Sequence, residues 1–239
     1  MRKKNKGAIR ETSGLAKVLI YIPLILLSIL IIVPVFWVFM ASIKENSEFY
    51  RNPALWKTLE DVILPDLISK FGENLKIWSA ACSTGDEPYS LAMVMAKKVP
   101  MNKIHIYATD IDEQVLAKAK DGVYGANSLN GLPDEYKKKY FEKMGDRYYK
   151  ISDDIKRCVE FKKADLLKDK YPTGCHLIVC RNVMIYFTEE AKLDIYKNFN
   201  RALVNDGCLF VGNTEQIINH KDLGYTFDKL FFYRKVQGI

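Results

Sequence analysis

The sequence predicts an α/β protein built on a doubly wound, mostly parallel sheet, preceded by one transmembrane helix. Three observations predict it. Apolar runs without turn formers alternate with segments of helical spacing, as expected of strands covered on both faces by crossover helices. The first of these runs passes through a small-residue turn directly into a helix, between Leu75 and Leu91 (LKIWSAACSTGDEPYSL). Residues 18–43 form a stretch of 26 positions without a charge, apolar and long enough to cross a bilayer.

Taken in order, the chain opens with a basic tail over residues 1–17, in which Arg2, Lys3, Lys4, Lys6, Arg10 and Lys17 face Glu11 alone. After the uncharged run, Lys44, Arg51 and Lys57 are balanced by Glu45, Glu48 and Glu60. The positive-inside rule therefore puts the N-terminus in the cytoplasm and the remainder outside. Pro23 and Pro34 suit a membrane helix better than a soluble one, and the run is too long for a cleaved signal peptide. Leu55, Leu59, Val62, Ile63, Leu67 and Phe71 predict a helix within 54–71. Leu75 to Ala81 is the first strand, and Asp86, Glu87 and Pro88 open a helix with Tyr89, Leu91, Ala92, Met95 and Ala96 along its apolar face. Lys103 to Thr109 (KIHIYAT) is the second strand, and Asp112 to Lys120 the following helix.

Residues 121–163 interrupt the alternation and predict an inserted subdomain. Gly122, Gly125, Asn127, Asn130, Gly131 and Pro133 mark loops, Glu135 to Met144 reads as a short basic helix, and Tyr148 to Ile151 and Arg157 to Lys163 read as strands. With the strand ending at Lys163 counted third, Cys175 to Cys180 (CHLIVC) is the fourth strand, Thr188 to Val204 a helix and Gly207 to Gly212 (GCLFVG) the fifth strand. Tyr225 to Lys235 closes the sheet as a hairpin.

The net charge of +7, from 36 basic and 29 acidic residues, is concentrated in the tail, so the folded part carries no basic stripe for nucleic acid. Five cysteines without a CxxC pair, with only three histidines, argue against a zinc site or a disulfide framework and for a reducing compartment.

The turn after the first strand sets the chemistry. Ser83, Thr84 and Gly85 let backbone amides approach a ligand, but Asp86 and Glu87 would repel a pyrophosphate and favour a cationic or hydroxyl-rich one. S-adenosylmethionine, with a ribose diol, an ammonium and a sulfonium, fits that description. On the acids alone, complementing the helix macrodipole is the simpler reading. Asp110, 25 residues beyond Gly85, ends the second strand where a Rossmann-like fold bonds ribose hydroxyls. A helix N-cap is the competing role, for which Asp112 is better placed. Arg181 and Asn182 follow the fourth strand at its carboxyl end, where open α/β sheets put their ligands.

WSAACSTGDEPYSLAM from Trp78, ATDID from Ala108 to Asp112 and CRNVMIYF from Cys180 to Phe187 resemble three ordered motifs of the CheR-type chemoreceptor glutamate methyltransferases. The resemblance covers about residues 47–235. It implies a class I S-adenosylmethionine-dependent methyltransferase fold with a small antiparallel β insertion that contacts the receptor. Ser47 and Arg51, in SEFYRNP, lie in a segment close to the family's T-x-F-F-R element, with Ser47 in the Thr position and Tyr50 in the second Phe position; its basic residue faces the cofactor carboxylate. The further cofactor contacts it implies are Ala81, Ser83, Gly85, Asp86, Glu87, Asp110, Arg181 and Asn182, with Asp165 and Leu166 toward the adenine. Arg181 and Tyr186 are the implied catalytic residues, near the transferred methyl and the incoming carboxylate.

The activity implied is methyl esterification of glutamates on a methyl-accepting chemoreceptor protein, leaving S-adenosylhomocysteine, with no metal and no nucleic acid. Other acceptors, or a membrane-anchored sensor that binds the cofactor without turnover, remain compatible with the same motifs. The first segment, about residues 15–47, instead resembles the first membrane segment of sugar ABC transporter permeases. It stands where the family carries an N-terminal helical domain. The expected organisation is a tail (1–17), a span (18–43) and a methyltransferase domain (44–239) that is cytoplasmic, where its cofactor is, and anchored if the helix inserts. Against the charge rule, this requires that the rule is overridden, that the span does not insert, or that the first part is a fused piece, and the abrupt change of resemblance near Ser47 favours the fusion.

Overall fold

The computed structural model describes residues 14–43, with side chains over 19–36, and residues 49–236. Two compact units divide the chain, residues 1–46 and 47–239. In the first, helix α1 (Gly14–Ile43) runs for 30 residues with Pro23 and Pro34 inside it. Its segment Leu19–Phe36 has a mean hydropathy of 2.9 and is exposed throughout, so by length and composition it is long and apolar enough to cross a membrane.

The second unit opens with helices α2 (Pro53–Thr58) and α3 (Leu64–Phe71), joined without a break by one π turn, Leu59–Ile63. The π turn falls just before Pro65, which has no amide to donate and crowds the preceding turn. Strand β1 (Lys76–Ala80) leads to α4 (Asp86–Met95), then β2 (His105–Asp110) and α5 (Glu113–Asp121). The insertion follows as β3 (Val123–Gly125), α6 (Asp134–Tyr140), β4 (Phe141–Met144), β5 (Tyr148–Ile151) and α7 (Asp153–Lys156). The chain returns through β6 (Val159–Lys163), β7 (Cys175–Cys180), α8 (Glu189–Ala202) and β8 (Leu203–Val211), ending in β9 (Tyr225–Lys229) and β10 (Phe232–Lys235).

The main sheet has the order β6-β2-β1-β7-β8-β10-β9. Its first five strands are parallel, and β10 and β9 add an antiparallel edge. A second sheet, β3-β5-β4, is antiparallel. Residues 159–163, grouped by sequence with the insertion, pair in parallel with β2 at the edge of the main sheet, so the small sheet ends at Ile151. Residues 141–144, predicted as helix, form β4 because the helix stops at Tyr140, where Phe141 turns inward beside Phe49 and Tyr124. The fifth main strand begins at Leu203, four residues earlier than predicted.

Both faces of the parallel strands are covered, so successive β1 side chains enter different cores. Ile77 joins Leu91, Val94 and Ile63 on one face, and Trp78 joins Phe199, Ile195 and Tyr225 on the other. Each such side chain, removed from water, contributes about 1.5–3 kcal/mol. From β1 the chain winds outward to β2 and β6, then crosses back to β7 and β8. The reversal between β1 and β7 makes their carboxyl ends the topological switch point, the place where the crevice of such sheets binds ligands.

Candidate active site

On the β1 side, the turn Ala81–Gly85 uses left-handed backbone at Ala81 (φ 61°), Ser83 (φ 49°) and Gly85 (φ 88°). Gly85 is required by space as well as by φ, since a Cβ there would stand 2.8 Å from the Ala119 Cβ. The turn amides are partly spoken for: Cys82 N–H donates to Thr109 O (2.8 Å), Gly85 N–H to Cys82 O (3.0 Å) and Ser83 N–H to Asp110 Oδ2 (2.8 Å). The expected row of ligand-facing amides is therefore in part a brace between β1 and β2. Asp110 also accepts from Asp112 N–H through Oδ1 (3.0 Å). A carboxylate has about four acceptor sites, so these two bonds orient it and leave capacity for a diol. Asp112 is the N-cap of α5, accepting from Gln114 N–H.

Glu87, in the first turn of α4, accepts from the Ser79 hydroxyl at 2.8 Å and faces Arg181 Nη1 across the crevice at 3.9 Å. Its side chain is 16% exposed. Burial pushes its carboxyl up to about 7, against the opposing pull of Arg181 and Ser79. Asp86 receives the Thr84 hydroxyl at 2.6 Å, and Tyr124 from the insertion closes over the same turn by donating to Thr84 O at 2.7 Å.

On the β7 side, Arg181 is buried, with its guanidinium 4.7 Å from the Phe210 ring centre and 5.5 Å from that of Trp56. Its Nη2 donates to Arg51 O at 2.9 Å, while Nε is buried without a hydrogen-bond partner. Burial pulls the guanidinium below its ordinary range, Glu87 and Glu215 oppose that fall, and Arg51 adds to it. The Arg51 backbone is held by its neighbours: Tyr50 stacks on Trp56, and Phe49 N–H donates to Ser128 O at 3.0 Å.

The structure thus brings Ala81, Ser83, Gly85, Asp86, Glu87 and Asp110 together on one side, and Arg51, Arg181 and Asn182 on the other. Asp165 and Leu166 follow β6, next along the same sheet edge; Asp165 Oδ1 accepts from Leu167 N–H at 2.8 Å, and Leu166 is buried. Tyr186 is 77% exposed at the end of the turn that begins with Arg181. Ser47 lies outside the described residues. Sequence reasoning missed Trp56 and Phe210, which flank Arg181, and the buried acid Glu215. The one signal for Glu215 was an acid just past the end of the apolar fifth strand.

A cationic amino-acid nucleoside suits this set. The crevice offers a desolvated carboxylate, an oriented aspartate on the next strand, and an arginine with an unpartnered N–H. Residues 45–230 match a family model described as CheR methyltransferase, SAM binding domain. A chemotaxis protein methyltransferase of Listeria monocytogenes is 41% identical over 198 residues, covering 82% of this chain and 75% of the relative. One from Borreliella burgdorferi is 37% identical over 191 residues, covering 76% of this chain and 68% of the relative. Among solved structures, the DszA carbon methyltransferase superposes with a TM-score of 0.45 at 14% identity, covering 68% of this chain and 36% of that one. The chain belongs to the CheR methyltransferase family and is an S-adenosylmethionine-dependent methyltransferase.

Proposed function

We propose that this chain methyl-esterifies glutamate side chains of chemoreceptors, with S-adenosylmethionine bound across the crevice between β1 and β7. The observation that carries the reading is the Glu87–Arg181 pair, which faces across the switch point of the sheet at 3.9 Å beside Asp110. When bound, the cofactor supplies an electrophilic methyl on its sulfonium. Asp110 accepts the ribose hydroxyls, Asp165 and Leu166 border the adenine, Glu87 pairs with the ammonium, and Arg51 faces the carboxylate. Ser83, Gly85, Asp86, Ala81 and Asn182 shape the wall around it, with Ser47 at the start of the Arg51 segment.

A glutamate acceptor is already ionised at neutral pH, its ordinary pKa being about 4.3, so the enzyme's task is alignment. Arg181 orients that carboxylate and Tyr186, exposed at the mouth, hydrogen-bonds to it. The β3-β5-β4 sheet and the Lys137–Lys139 run of α6 face the receptor, the tail (1–17) and span (18–43) anchor the domain (44–239), and the domain works in the cytoplasm. The test is transfer of a labelled methyl group from the cofactor to receptor-containing membranes. Label released as methanol by mild alkali supports esterification, whereas alkali-stable label means N-methylation and contradicts it.

A further inference from the structure

Past the end of β8, the Glu215 carboxylate is 5% exposed and accepts four backbone amides. Oε1 takes Val183 N–H (2.6 Å) and Met184 N–H (2.7 Å), and Oε2 takes Asn182 N–H (2.8 Å) and Gly212 N–H (2.7 Å). Three of these amides are consecutive and belong to the turn that begins with Arg181 and ends at Tyr186. Successive amides converging on one point make an anion-binding concavity, and here the chain fills it with its own carboxylate. The turn needs that support, because Asn182 sits at φ 59°. Gly212 clears the space: a Cβ there would stand 2.5 Å from Glu215 Oε2 and 2.8 Å from Asn182 N.

We propose that Glu215 is a positioning residue for methyl transfer, fixing the Asn182–Met184 turn and through it Arg181 and Tyr186 against the β1 side of the crevice. This rests on the roles of Arg181 and Tyr186 proposed above. Its mark is a requirement for both carboxylate oxygens. Glutamine keeps the shape and the packing, but its NH2 group cannot accept and would point at two donors.

The test compares the full chain in detergent with its Glu215→Gln and Glu215→Ala variants, by amide hydrogen exchange and by methyl transfer. Both variants are expected to speed exchange at residues 182–184 and 212, leave β1 and β2 protected, and lower kcat by roughly 10- to 100-fold. Affinity for S-adenosylhomocysteine should fall by less than kcat does, because its ribose and ammonium contacts lie on the β1 and β2 side and only the Asn182 wall and the Arg51 segment depend on the turn. A glutamine variant with wild-type exchange and kcat overturns the proposal. If neither variant folds, Gly212→Ala decides: it keeps the charge but displaces it, and wild-type exchange with wild-type kcat there overturns the proposal equally. If the unmodified chain binds no S-adenosylhomocysteine, the reading of the site fails, while the exchange comparison still decides whether Glu215 fixes the turn.

Discussion

Both turns of the crevice leave a parallel strand through left-handed backbone, at Ala81 and Ser83 after β1 and at Asn182 after β7, yet the buried acids beside them are held differently. Glu215 is saturated by four amides. Glu87 receives one hydroxyl and a guanidinium 3.9 Å away, and burial raises it from an ordinary 4.5 to about 7. Because this acid is raised, its linkage runs opposite to that of a salt-bridged carboxylate. The folded state holds the proton longer, so stability falls as pH climbs from about 4.5 to about 7 and levels off above that. The strain of keeping Glu87 ionised is on the order of 3 kcal/mol. A saturated carboxylate builds architecture, and an under-bonded one is where a ligand cation gains most.

The largest effect is expected at the residue between the two acids. Arg181→Ala is expected to lower methyl transfer by roughly 100- to 1000-fold, as loss of a preorganised charge does at other active sites. Arg181→Lys should rescue little of it, because an ammonium does not reproduce a planar group lying over Phe210 and Trp56 with a bond to Arg51 O. Steady-state rates on receptor membranes check both.

Asp110→Ala acts on the β1 side alone. It deletes the acceptor for the diol and leaves the amides of Ser83 and Asp112 without their partner. Titration with S-adenosylhomocysteine should show a loss of about 1–3 kcal/mol. Unchanged affinity would remove Asp110 from the site. The smallest effect expected is from deleting residues 1–45, which belong to the other unit of the chain. The truncated chain should stay soluble and keep its affinity, and a loss restored only in the full chain would mean that the segment serves the crevice.

How far the sequence reached depended on whether each signal was local. Strand β7 was read with its observed bounds because CHLIVC is apolar on both faces, and Asp112 was read as an N-cap from its place before a helical run. Strand β4 was missed because Glu142 and Lys143 continue a lysine-rich helical pattern, and only packing of Phe141 against Phe49 ends it. Asp110 and Glu87 were legible from their positions after strands, but the protonation state of Glu87 depends on burial by the finished fold. Trp56 and Phe210 reach Arg181 from distant parts of the chain, and no spacing announces that. Glu215 escaped because its partners are backbone amides, which no sequence pattern displays.

If the cofactor's cation is received by Glu87, the under-bonded acid in the first turn of α4, binding depends on pH. Burial raises the Glu87 carboxyl to about 7, and a ligand ammonium favours its ionised form. Calorimetric titration of the full chain with S-adenosylhomocysteine, in buffers of different ionisation enthalpy, should show release of about one proton at pH 6. Affinity should rise about tenfold from pH 6 to pH 8, and Glu87→Gln should abolish both effects. Binding that takes up a proton, or that is as tight at pH 6 as at pH 8 in the unmodified chain, would mean that Glu87 does not receive the cation.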